Sequence, residues 1–104
     1  MLGLFKPSVK TRSMKDAKKE LEQDSSILLL DVRSPEEYKQ QHLPGSIHLP
    51  LDQIGRAGEI IPSLDAKVFV YCLSGARSQT AVSFLSKQGY KNVFNIGGIM
   101  EYYQ

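Results

Sequence analysis

The chain has one cysteine, Cys72, and no tryptophan among its 104 residues. A single cysteine excludes an intramolecular disulfide, so the fold needs no oxidising compartment. Histidine is scarce as well. His42 and His48 stand apart from the cysteine, and no Cys/His cluster has metal-ligand spacing, so no metal is expected. A phosphate-binding P-loop and a dinucleotide fingerprint are both missing, so no cofactor is expected. No apolar run approaches the roughly 20 residues of a membrane span. The start, Met1-Leu2-Gly3-Leu4-Phe5-Lys6-Pro7, has too short an apolar stretch for a signal peptide, and its charge follows that stretch. The expectation is a cytoplasmic protein with no membrane partner. Excess charge of one sign is lacking too: 13 basic and 11 acidic residues leave +2, too little to argue for nucleic acid. Lys6, Lys10, Arg12, Lys15, Lys18 and Lys19 make the first third basic. Asp16 and Glu20 interrupt them, and the run reads as a solvated helix face.

The length fits one domain, residues 1–104, with an irregular arm over 1–12 that carries a short edge strand near Val9. Ser13 can cap a helix whose apolar stripe is Met14, Ala17 and Leu21. Ile27-Leu28-Leu29-Leu30 is a continuous apolar run, the mark of a strand buried on both faces. In Ser34-Pro35-Glu36-Glu37, serine caps, proline takes the first helical position and Glu37 closes a capping box. Ile47-His48-Leu49 reads as a short strand, 51–65 as broken helix around Gly55 and Gly58, and Val68–Tyr71 as the clearest strand. A helix over Ser78–Gln88, a strand over Val93–Ile96, a Gly97-Gly98 turn and a closing helical turn complete the order. Alternation of this kind predicts an α/β domain with a largely parallel sheet and helices on both faces. Sites in such sheets form beyond the carboxyl ends of the strands, where Cys72 and Asp31-Val32-Arg33 would both lie.

Cys72 follows a strand directly and precedes a loop and a helix start. Helix N-termini offer unpaired N–H groups and partial positive charge, and a tight loop can aim further N–H groups at one point. Arg77 adds a full charge. These features favour a thiolate and a pKa below the free value of roughly 8.5. An inert core cysteine would need no glycine, arginine and pair of serines in the next six positions. A thiolate ringed by N–H donors can attack the outer sulfur of an anion such as thiosulfate, with sulfite leaving and no general acid required. A covalent intermediate of this type predicts ping-pong kinetics.

Three stretches together make the chain resemble the rhodanese family of single-domain thiosulfate and persulfide sulfurtransferases. They are Leu29-Leu30-Asp31-Val32-Arg33-Ser34-Pro35-Glu36-Glu37-Tyr38 with His42-Leu43-Pro44-Gly45-Ser46-Ile47-His48-Leu49-Pro50, then Val70-Tyr71-Cys72-Leu73-Ser74-Gly75-Ala76-Arg77-Ser78, then Gly97-Gly98. The resemblance implies a central, mostly parallel five-stranded sheet flanked by helices. It implies that Cys72 takes a sulfane sulfur as a persulfide and passes it to a thiophilic acceptor. Leu73, Ser74, Gly75, Ala76 and Arg77 would cradle the anion. Arg77 would orient an anionic donor, and Ser78 would chiefly cap the helix, with a contact to the sulfur as the lesser role. Asp31, Arg33 and Glu37 belong to the signature with structural roles, Arg33 pairing with Glu37 or a loop carbonyl. His42 and His48 read as turn and packing residues. Relatives often carry a tryptophan after the glycine pair, where this chain has Tyr102. The implied partners are a small anionic sulfur donor and a thiol or protein acceptor, with nothing demanding more than a monomer. The rival readings are a sulfur- or redox-sensing or protein-binding module and, less well supported, a cysteine phosphatase or arsenate reductase. In those enzymes the loop is one residue longer than the four residues between Cys72 and Arg77.

Overall fold

The computed structural model describes residues 9–104. Helix α1 (Met14–Gln23) leads to strand β1 (Leu28–Asp31), helix α2 (Pro35–Gln40) and strand β2 (Ile47–His48). A 3-10 segment over Leu51–Glu59 precedes strand β3 (Lys67–Cys72), helix α3 (Ala76–Lys87), strand β4 (Asn92–Gly98) and a last 3-10 segment, Ile99–Tyr103. The strands run parallel in the order β2-β1-β3-β4.

The apolar runs form the two central strands because those strands are covered on both faces. Side chains alternate across β3. Val68, Val70 and Cys72 join the core formed with α3 and the Leu51–Glu59 segment. Phe69 and Tyr71 join the core formed with α1, Leu43 and Ile99. Each fully buried Val, Leu or Phe in these layers contributes roughly 1.5–3 kcal/mol. Ser13 caps α1 by accepting the Asp16 N–H at 3.1 Å, and the predicted stripe buries Met14 and Ala17. Ser34 and Glu37 form the capping box of α2. Among the described residues no helix is long and apolar enough to cross a membrane.

Four expectations are corrected. Among the described residues the sheet has four strands rather than five. Near the expected edge strand, the arm pairs with β4 only through a single bridge, Thr11 to Asn95, while Val9 lies in no strand and residues 1–8 fall outside the described part. Pairing stops at once because Ser13 turns the chain into α1. The helix after the cysteine begins at Ala76 rather than Ser78. Gly97-Gly98 is the end of β4 rather than a turn. Opposite Val70 and Tyr71 the register jumps from Asn95 to Gly97, a bulge at Ile96 that sets the glycine pair beside Tyr71 and Cys72.

Candidate active site

Cys72 is the last residue of β3, and the chain leaves the sheet there through Leu73 and Ser74, both exposed. Gly75 then adopts φ of 102°, a left-handed conformation that favours glycine, and serves as N-cap of α3 with no side-chain cap. This tight return points the loop and the first turn of α3 back at the cysteine. Its Sγ accepts from the Gly75 N–H at 3.0 Å, the Ser78 N–H at 3.4 Å and lies 3.4 Å from the Ser78 hydroxyl. Cys72 is fully buried. Burial pushes the thiol up, but the Ser78 hydroxyl and the N–H groups of Ser78, Gly75 and Ser74 outweigh it, so Cys72 titrates below its ordinary value. The donors supply this effect without a formal charge on the sulfur's immediate partners.

Arg77 takes a different place from the one expected. Both guanidinium NH groups bind Glu37 of α2, at 2.7 and 3.0 Å. A bidentate pair of this kind braces the first turn of α3 against α2. Among the described residues the guanidinium's hydrogen bonds go to Glu37. The Arg77 hydrogen bonds, joined by the Ser34 contacts, outweigh the upward push of burial and hold the Glu37 carboxyl down to about 2. Ser78 likewise differs. With the cap at Gly75 it is buried inside the helix, and its hydroxyl faces Cys72 Sγ and the Gly75 carbonyl instead of capping.

Asp31 and Arg33 form a buried pair, with Arg33 Nε 3.0 Å from both carboxylate oxygens and Nη2 2.7 Å from Oδ2. Arg33 also binds the Gln41 carbonyl, so the loop-carbonyl expectation holds, while Glu37 goes to Arg77 rather than Arg33. Tyr71 donates to Asp31 at 2.7 Å and accepts the Leu43 N–H at 3.0 Å. Burial first of all pushes its phenol up to about 12, which keeps the hydroxyl protonated for that donation. This network fixes the end of β1 next to the Cys72 strand. His42 and His48 both stack on Tyr38 and bind the carbonyls of Tyr38 and Arg33, which are packing and turn roles. Tyr102 packs against the α1 core with the Lys18 ammonium 4.3 Å from its ring centre.

Sequence reasoning passed over Asn95. Its amide bridges β4 and the cysteine loop, donating to the Gly75 carbonyl at 3.0 Å. The available signal was one polar residue inside Val93-Phe94-Asn95-Ile96. Beside the loop an open cleft of about 470 Å³ is bounded by Ser74, Gly75, Asn95 and the arm residues Thr11 and Arg12.

A model of the rhodanese-like domain matches residues 13–104, nearly all of the described chain. The chain belongs to the rhodanese-like family. Among similar proteins, the thiosulfate sulfurtransferase PspE of Escherichia coli is 40% identical over 73 residues, covering 69% of this chain and 70% of that protein. YrkF of Bacillus subtilis is 35% identical over 89 residues and 86% of this chain, which spans only 48% of YrkF, about half its length. A solved E. coli rhodanese with bound anions superposes with a TM-score of 0.70 at 38% identity, covering 72% of this chain and 89% of that one. In this rhodanese-like chain, the family's parallel sheet and flanking helices hold the cysteine at the carboxyl end of β3.

Proposed function

We propose that this chain, as one rhodanese-like domain, is a sulfurtransferase that carries a sulfane sulfur on Cys72. The observation that carries the reading is the convergence of the Gly75 N–H, the Ser78 N–H and the Ser78 hydroxyl on one sulfur atom. The name of PspE, a thiosulfate sulfurtransferase, supports the same chemistry. In the first step the Cys72 thiolate attacks the outer sulfur of thiosulfate. The new S–S bond forms as the bond to the sulfonate sulfur breaks. Sulfite leaves with that electron pair, and the persulfide keeps one negative charge. In the second step an acceptor such as cyanide or a thiolate takes the outer sulfur, and the Cys72 thiolate returns. Neither step requires a proton to reach the leaving group. The negative charge stays within reach of donors already oriented toward it, which is the economical form of electrostatic stabilisation.

The sulfur is covered in this conformation. Only Leu73, Ser74, Gly75 and Ala76 separate Cys72 from Arg77, a ring that suits one added sulfur atom better than a tetrahedral phosphate and disfavours the phosphatase reading. The proposed partners are a small anionic sulfur donor and a thiol or protein acceptor, met by a monomer. A reducing cytoplasm suits an unpaired reactive cysteine. Steady-state transfer from thiosulfate to cyanide is expected to give parallel double-reciprocal lines, the ping-pong signature. Cys72→Ser should abolish transfer while leaving the far-ultraviolet spectrum unchanged. Substantial transfer by that variant would refute the mechanism.

A further inference from the structure

Asn95 lies on β4 opposite Val70, on the face that packs against α3. A polar side chain in such a strand must find partners. Asn95 finds three of them in the cysteine site. Its Nδ2 donates to the Gly75 carbonyl at 3.0 Å, and its Oδ1 accepts from the Gly97 N–H at 3.0 Å and from the Ser78 hydroxyl at 2.6 Å. Its backbone is held from the other side, the N–H by the Lys10 carbonyl at 2.9 Å and the C=O by the Arg12 N–H at 3.0 Å. The amide can have only one orientation. Turned over, its NH2 would face the Gly97 N–H and its oxygen would face the Gly75 carbonyl.

Ser78 has a single hydroxyl proton. Three acceptors surround its oxygen: Asn95 Oδ1 at 2.6 Å, the Gly75 carbonyl at 3.1 Å and Cys72 Sγ at 3.4 Å. The shortest contact takes the proton while the sulfur is a neutral thiol. A charged sulfur is the better acceptor, and a turn of the hydroxyl alone brings the proton to it.

We propose that Asn95 is a positioning residue for Cys72, holding the Gly75 carbonyl in place and parking the Ser78 proton until the sulfur becomes an anion. The proposal rests on the sulfurtransferase reading, in which that anion is first the thiolate and then the persulfide. A neutral amide suits the role. It accepts the hydroxyl when the sulfur is uncharged and yields it when charge develops. A carboxylate in the same place would keep the proton permanently. It would also set a negative charge one hydrogen bond away from the sulfur and lose the donor to Gly75.

The test is the pH dependence of Cys72 ionisation, followed by thiolate absorbance with Cys72→Ser subtracted. Thermal melts establish that each variant is folded. Asn95→Asp is expected to raise the thiolate pKa by about one unit, hence about tenfold less thiolate on the acid side of the transition. Asn95→Ala adds no charge and removes the rival acceptor of the Ser78 proton, so it should lower the thiolate pKa, by less than one unit, and serves if the aspartate variant does not fold. Asn92→Asp, on the same strand with its amide on the exposed Asp65 carbonyl, should leave the profile unchanged. Wild-type profiles in folded Asn95 variants would overturn the inference, while thiosulfate uptake by the unaltered chain would keep the functional reading standing. Failure of the unaltered chain to take up sulfur would overturn both.

Discussion

Gly98→Ala would place a Cβ 2.3 Å from the Leu73 carbonyl oxygen, 3.0 Å from its carbon and 3.1 Å from Ser74 Cα. All three are backbone atoms of the cysteine loop, so no side-chain rotation relieves the overlap. Ordinary contact begins near 3.4 Å. Gly98 is paired with Cys72 in the ladder, so β4 cannot retreat without breaking that pairing. The loop must therefore move by about 1 Å, a misplacement that can cost about 100-fold in rate. Overpacking at this buried position should cost about 1–3 kcal/mol, a fall in Tm of roughly 5–15 °C. The expected result is a folded protein whose kcat/KM for thiosulfate-to-cyanide transfer is about 100-fold down. Gly45→Ala is the control. Its φ of 78° strains an alanine, but nothing lies within 4 Å, so stability should fall by about 1 kcal/mol and kinetics should not change. Activity of Gly98→Ala within twofold of the unaltered chain would refute the account of loop geometry. Equal kinetic losses in the two variants would refute it as well.

Two further predictions concern the struts of the site. Glu37 titrates near 2 in the fold against an ordinary 4.5, so its contribution is complete above about pH 4.5 and is lost as the pH falls toward 2. The arginine of the pair is 36% exposed, and after solvent screening the contribution should be about 1 kcal/mol. Urea melts at neutral pH and near pH 3 should show that extra loss in the unaltered chain and not in Glu37→Gln; identical pH dependence would contradict the clamp. Tyr71→Phe leaves the buried Leu43 N–H without its 3.0 Å partner and removes a donor to Asp31, at a cost of about 1–3 kcal/mol in urea melts. An unchanged midpoint would show that the Tyr71 hydroxyl does not anchor this network.

Local signals in the sequence were legible because local interactions produce them. The Ser34-Pro35-Glu36-Glu37 cap forms within four consecutive residues, and the runs at β1 and β3 record burial on both faces. The position of Cys72 at a strand end followed from the run before it. Ser78 was harder, since its direction depends on where α3 starts. Gly75 takes the cap through a backbone conformation rather than a side-chain bond, which moves Ser78 into the first turn and onto the sulfur. The Arg77–Glu37 pair joins residues 40 apart, and no local pattern marks which of two arginines Glu37 will hold. Among the described residues Val9 lies in no strand, because helix capping at Ser13 overrides β-propensity there. The bulge at Ile96, which turns Asn95 into a site residue, depends on the ladder with β3 and has no mark of its own beyond Gly97.

The most direct test of the central claim is intact-mass measurement of the reduced chain after brief exposure to thiosulfate, followed by addition of cyanide. The account predicts a gain of one sulfur atom, absent in Cys72→Ser and mapped to Cys72 by peptide analysis. Cyanide should remove that sulfur, with one thiocyanate formed per chain. A chain that gains no sulfur, or gains it equally in Cys72→Ser, would contradict the account.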